Sequence, residues 1–137
     1  MIQVIVFDLN GVLFPTPRQI NNQVYDFVKE CKSLGYMLVI ASNASKGSFE
    51  WRNSKFGLMD VFDGRIISSD IGMRKPSKKF FQYMIDVLGH KPEEILFVDD
   101  SDVNIKTASD LGIKCLKYED ESSLDKIREY LEDDREE

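Results

Sequence analysis

The chain alternates short, continuously apolar runs with longer segments whose apolar residues return at helical spacing, and no other feature narrows its possible folds as far. "IQVIVFD" opens the series, an unbroken run rich in β-branched residues, the pattern of a strand covered on both faces. After a loop holding Pro15 and Pro17, the residues Ile20, Val24, Phe27, Val28, Cys31 and Leu34 share one face of a helix that Gly35 closes. "YMLVIAS" reads as a second buried strand, "GSFEWRNSKFG" as a shorter, more polar helix and "GRIISS" as a third strand. A helix from about Pro76 to Leu88 directs Phe80, Phe81, Met84, Val87 and Leu88 inward, with proline suited to its first turn. "EEILFVDD" supplies a fourth strand, residues 102–111 a helix with Ile105, Ala108 and Leu111 inward, and "IKCLKY" a fifth strand. The closing helix, "SSLDKIREYLE", begins with Ser122 and Asp125 at capping-box spacing.

Strands that alternate with helices form a parallel sheet with right-handed crossovers. The expected fold is therefore α/β, a doubly wound, Rossmann-like parallel sheet of about five strands with helices on both faces. At 137 residues, with no repeat or linker, the chain fits one domain over 1–132, followed by an acidic C-terminal tail at 133–137.

Charge, cysteine and histidine remove whole classes of function. The net charge of −6 is concentrated at the end, where residues 119–137 hold ten acids and three bases. That leaves 15 bases and 14 acids in residues 1–118, so the acidity reads as a solvated helix face and tail rather than a statement about substrate. No basic stripe with interleaved aromatics points to nucleic acid. No run approaches membrane-spanning length, and no basic, apolar leader precedes Ile2, so a cytoplasmic protein is expected. Cys31 and Cys115 are far apart and read as buried, reduced thiols. His90, the only histidine, falls in the turn "LGHKPEE", away from any catalytic pattern. Trp51 reads as packing rather than a substrate platform.

Parallel sheets bind ligands beyond the carboxyl ends of their strands, at the point where the strand order reverses. Asp8 ends the first strand, Ser42 the second, and Asp99 with Asp100 the fourth, while Lys75 heads a loop into a helix. They should meet at one rim. Several carboxylates with a lysine and no histidine suit phosphoryl chemistry with a divalent cation. Mg²⁺ takes one or two carboxylates, keeps waters and adds a substrate phosphate. An aspartate is ionised at neutral pH and can attack phosphorus, with lysine and a hydroxyl orienting the phosphoryl oxygens.

The order of these residues resembles the haloacid dehalogenase (HAD) superfamily, most of whose members are phosphohydrolases. Its first motif, Asp-x-Asp-x-(Thr/Val), is met by "DLNGV" with Asn10 as a departure; its second by "MLVIASN"; its third, a lysine before proline, by "RKPS"; and its fourth by "ILFVDDSDVN". The similarity runs from Ile2 to about Leu131, and "ASDLGIK" resembles the family's usual passage from helix to strand. A receiver domain, with paired acids on its first strand, does not share this order. The resemblance implies Asp8 as the nucleophile. It implies Asp8, the Asn10 main-chain carbonyl and Asp100 as Mg²⁺ ligands, with Asp99 acting directly or through water. Ser42 and the Asn43 amide would hold phosphoryl oxygens, and Lys75 would pair with Asp8 and the phosphate. Asn104 stands where relatives often have an acid.

In phosphatases of the family, the second aspartate of the first motif protonates the leaving oxygen and then activates water. Asn10 can do neither, at a typical cost of about 10²–10⁴-fold in rate. The chain then reads as a slow phosphatase, as a catalytically impaired module binding a phosphorylated ligand or protein partner, or as an active enzyme carrying an Asp→Asn replacement. Only 33 residues separate Asp8 from Ser42 and 32 separate Ser42 from Lys75. An inserted cap domain would need roughly 50 beyond the elements already there. The site should be open, which argues against a dehalogenase and suits a phosphorylated substrate that can be large or macromolecular, or a neighbouring subunit serving as lid.

Overall fold

The β-branched run near the N-terminus becomes β1 (Val4–Phe7), and every residue of it is buried. This is what a strand with two covered faces requires. Ile5 and Phe7 point into one apolar layer and Val4 and Val6 into the other, because strand side chains alternate. The computed structural model of the chain describes residues 1–136 and places β1 at the centre of a five-stranded parallel sheet. The other strands are β2 (Met37–Ser42), β3 (Gly64–Ile67), β4 (Ile95–Asp99) and β5 (Lys114–Lys117), in the order β3-β2-β1-β4-β5. The register sets Phe7 beside Ile40 on one side and beside Val98 on the other, so the ends of β1, β2 and β4 are level.

Helices cover both faces. On one side pack α1 (Asn22–Ser33), α2 (Lys46–Phe56), the single turn α3 (Leu58–Val61) and α7 (Ser122–Arg135), through Phe27, Val28, Phe49, Leu58 and Ile127. On the other pack α5 (Lys78–Leu88) and α6 (Asp102–Asp110), through Phe80, Phe81, Met84 and Ala108. A short α4 (Ser68–Ile71) follows β3, so the last two residues of "GRIISS" turn into helix instead of extending the strand. The interval between Asp8 and Ser42 is filled by a loop, α1 and β2, and that between Ser42 and Lys75 by α2, α3, β3 and α4. No cap domain is inserted. Among the described residues no helix is long and apolar enough to cross a membrane.

Several boundaries differ from the sequence reading. The fifth helix begins at Lys78, capped by the Ser77 side chain, and Pro76 lies in the loop before it. Val87 is 57% exposed, because the buried stripe is already completed by Phe80, Phe81 and Met84. Leu34 is likewise exposed, at the C-terminal cap of α1. The capping box expected at Ser122 does not form. Asp120 accepts from the Ser122 amide instead, and the buried Ser123 hydroxyl accepts from the Glu119 amide. The last helix continues through 133 and 134 to Arg135, pinned by an Ile2 amide bond to Asp134 Oδ2 and by Arg135 Nη1 donating to the Tyr36 hydroxyl. Glu137, the end of the tail expected at 133–137, lies outside the described residues.

Candidate active site

The strand order reverses between β1 and β4, and that crevice is where the predicted acids gather. Asp8 follows β1 directly and its amide donates to the Val98 carbonyl across the gap (3.0 Å), while Asp99 ends β4. Carboxylate oxygens of Asp8, Asp99 and Asp100 all lie within 4.8 Å of one another.

Lys75 joins them. The residue is 3% exposed, and its ammonium donates three bonds of 2.9 Å, to Asp8 Oδ1, to Asp99 Oδ2 and to the Ala41 carbonyl. Such a charge-assisted set is strong, and it fixes the Nζ between the two strand ends. The loop carrying Lys75 is itself clamped, because the Asn43 carboxamide accepts from the Lys75 amide (2.8 Å) and donates to its carbonyl (2.9 Å). The side chain of Asn43 is therefore spent on holding the lysine. Ser42 is fully buried, with its Oγ accepting from the Ala44 amide in a local turn.

Asp99 is completely buried and fully engaged. Its Oδ1 accepts from the Ser101 main-chain amide and its Oδ2 from both the Lys75 ammonium and the Asn104 side-chain Nδ2. Asn104 thus does what a carboxylate at that position would not, donating to Asp99 at 3.1 Å. Asp100 is exposed at the rim and Asp8 sits just inside it, 6% exposed. Asn10 is exposed on the turn after Asp8, in a bridge with Phe14.

One lysine, bonded to two of these three acids, leaves an imbalance that shows in the titration of Asp8 and Asp100. Burial pushes the Asp8 carboxyl up from 3.8 to about 7; Lys75 opposes the rise and Asp99 adds to it. Asp100 is raised for the same leading reason, with Asp99 again reinforcing. Three carboxylates against one ammonium leave a formal charge of −2, a deficit that a divalent cation would fill.

Two participants escaped the sequence reading. Gly11, with φ +88°, lies so close to Asp100 that a Cβ there would overlap its carboxylate. The only signal was its place within "DLNGV". The Ala41 carbonyl could not be read from any side-chain pattern. His90 lies before β4, at the opposite edge of the sheet, 3.7 Å from Glu94, and takes no part. Cys31 and Cys115 are unpaired thiols, the first buried and the second half-buried. A cleft of about 460 Å³ between α1 and α7 is lined by Asp26, Glu121, Asp125 and Arg128, and since Arg128 is already paired with Glu30 and Asp125 its balance is acidic, a poor setting for a phosphoryl group.

A family model of haloacid dehalogenase-like hydrolases matches residues 14–112. Bifunctional epoxide hydrolase 2 of Rattus norvegicus is 29% identical over 110 residues, which are 77% of this chain and 20% of that protein. The glyceraldehyde 3-phosphate phosphatase of Methanocaldococcus jannaschii is 32% identical over 105 residues, 75% of this chain and 43% of that one. The chain thus spans less than half the length of these curated relatives. Among solved structures, a HAD family enzyme of Bacteroides thetaiotaomicron is similar with a TM-score of 0.68 and 25% identity, covering 73% of this chain and 54% of that one. It was crystallised as an aspartate-to-alanine mutant in complex with magnesium and inorganic phosphate.

Proposed function

The chain belongs to the haloacid dehalogenase-like hydrolase family, and from that premise we propose that it is a Mg²⁺-assisted phosphohydrolase acting through an aspartyl-phosphate on Asp8. The observation that carries the proposal is the buried Lys75 ammonium held between Asp8 and Asp99, with Asp100 beside them. The site also fits the metal, since its net negative charge and hard oxygen donors match what Mg²⁺ prefers. Asp8, Asp100 and the Asn10 main-chain carbonyl would hold it, with Asp99, whose oxygens are already engaged, contributing at most through water. When bound, Mg²⁺ supplies positive charge that offsets the phosphoryl oxygens.

The protein's own groups do the rest. An Asp8 carboxylate oxygen forms a bond to phosphorus as the bond to the ester oxygen breaks, and the leaving group departs as an alkoxide or phenoxide. Lys75 keeps Asp8 oriented and faces the charge that develops on the phosphoryl group. The Ser42 hydroxyl and the Asn43 main-chain amide, at the end of β2, complete the hold on the phosphoryl oxygens. Water then attacks the acyl phosphate at phosphorus, releasing inorganic phosphate and restoring Asp8. Neither half-reaction receives a proton or loses one through position 10, because the Asn10 carboxamide does not titrate near neutral pH. Turnover is therefore slow and favours leaving groups that need little protonation. The open rim sets no limit on the size of the phosphorylated substrate.

The test is phosphate release from an activated aryl phosphate with Mg²⁺. Asn10→Asp raises the rate by about 10²–10⁴-fold, and Asp8→Asn abolishes it. The exposed, neutral Asn10 also favours a second reading, a module that binds a phosphorylated ligand or protein partner without turnover. Silence from both the native sequence and Asn10→Asp, with Mg²⁺ still bound, would select it. Absence of Mg²⁺ binding in calorimetry would sink both.

A further inference from the structure

Beside the Asp8 site, the loop after β1 and the first turns of α2 enclose a cleft of about 310 Å³ lined by Pro17, Arg18, Gly47, Ser48 and Trp51. It belongs to the same rim, since α2 starts four residues after Ser42 and the loop starts at Asp8. Its charge is one-sided. The Arg18 guanidinium lies 4.8 Å over the ring of Trp51 and has no carboxylate partner among the described residues. Trp51 packs edge-on against Phe56, yet leaves 38% of its surface open.

Behind Pro17 stands a second arginine that no carboxylate bonds among the described residues. Arg52 is 2% exposed, donates through Nε to the Pro17 carbonyl (3.0 Å), rests its guanidinium 4.8 Å over Phe14, and leaves the buried Nη1 without a partner. A buried guanidinium normally needs a counter-charge close by. Burial pulls the Arg52 pKa down, and the charge of Asp8 opposes that fall. The N-terminal turn of α2 adds a further positive end to the same wall. In a chain of net charge −6, an exposed arginine in the cleft, a helix start beside it and a buried, partly unsatisfied arginine bonded to the Pro17 wall make a positive setting that suits an anion.

We propose that this cleft is a subsite for a second anionic group carried by the substrate, with Arg18 stacked on Trp51 as the contact and Arg52 as the buried charge beneath it. The inference rests on the reading that the transferred phosphoryl group binds at Asp8. The substrate class it selects is a phosphate monoester whose leaving portion bears a carboxylate or another phosphate. A neutral leaving portion would leave Arg18 unsatisfied.

Trp51 is the only tryptophan, so the protein carries its own reporter. With Mg²⁺ present, non-hydrolysable alkylphosphonates are titrated against ω-carboxyalkylphosphonates and alkane bisphosphonates of graded length, following Trp51 fluorescence and calorimetric heat. A second anion at the matching length tightens binding by about tenfold or more, as a charge-assisted contact does, and changes the Trp51 emission. Arg18→Gln removes that gain. The better of the two anion types at that length identifies the group. Equal affinities across the series, or a gain that survives Arg18→Gln, overturns the subsite while leaving the Asp8 reading intact. If no phosphonate binds at all, the Asp8 reading fails and takes the subsite with it.

Discussion

Glycine at position 11 lets the Asp100 carboxylate lie against the turn that follows Asp8. Any side chain there would overlap Asp100 and would have to adopt φ +88° as well. Gly11→Ala is therefore expected to cost about 1–3 kcal/mol of stability and to displace Asp100 from the cluster. Urea unfolding and Mg²⁺ calorimetry together check it, since loss of stability with normal Mg²⁺ affinity would place Asp100 outside the metal site. At this scale the sequence was partly legible. The acids and the lysine announced themselves by chemistry and order, and they do meet. What the residues could not announce was who holds whom. The Asn43 side chain serves the Lys75 backbone, and Asn104 serves Asp99, because amides that both donate and accept tie loops together wherever the fold happens to bring them.

Among the elements, β1, β2 and β4 were the easiest to read and the helix ends the hardest. A strand buried on both faces leaves a continuous apolar signature that only a central parallel position explains. A helix end depends on one hydrogen bond, and Ser77, Asp120 and Ser123 each supply theirs from a position that periodicity cannot assign. The same limit misplaced Val87, which has the right residue type for the α5 stripe but the wrong angle. The two positions on α5 separate cleanly by experiment. Phe81 is fully buried and meets Phe80 and Phe97 edge to face at 5.4 and 5.3 Å. Phe81→Ala should lose about 3–5 kcal/mol, whereas Val87→Ala should stay within about 0.5 kcal/mol. Denaturant midpoints with unchanged slopes would confirm the contrast. Equal losses would mean that α5 packs in a different rotation.

For the molecule as a whole, the sheet order turns three distant stretches of sequence into one buried, under-compensated charge cluster, and stability should register it. The folded-state pKa of Asp8 lies near 7, above its ordinary 3.8. Between those values the folded protein keeps a proton that the unfolded chain has released. The corresponding stability is complete below about pH 4 and is lost as pH rises through about 7. Without metal, the melting temperature should therefore fall from pH 5 to pH 8, and Asp8→Asn should flatten that slope, since an amide neither repels Asp99 nor titrates. In the proposed reading Mg²⁺ binds the ionised cluster and not the unfolded chain, so it should stabilise by mass action. Protons compete for the same oxygens, which makes that gain small at pH 5 and large at pH 8. Melting curves with Mg²⁺ and with chelator across this range read both effects at once. A Mg²⁺ gain independent of pH would mean that the cation sits away from Asp8. Lys75→Met, which removes the cation bridging Asp8 and Asp99, should steepen the metal-free decline and leave the protein more dependent on Mg²⁺ at pH 8 than the native chain.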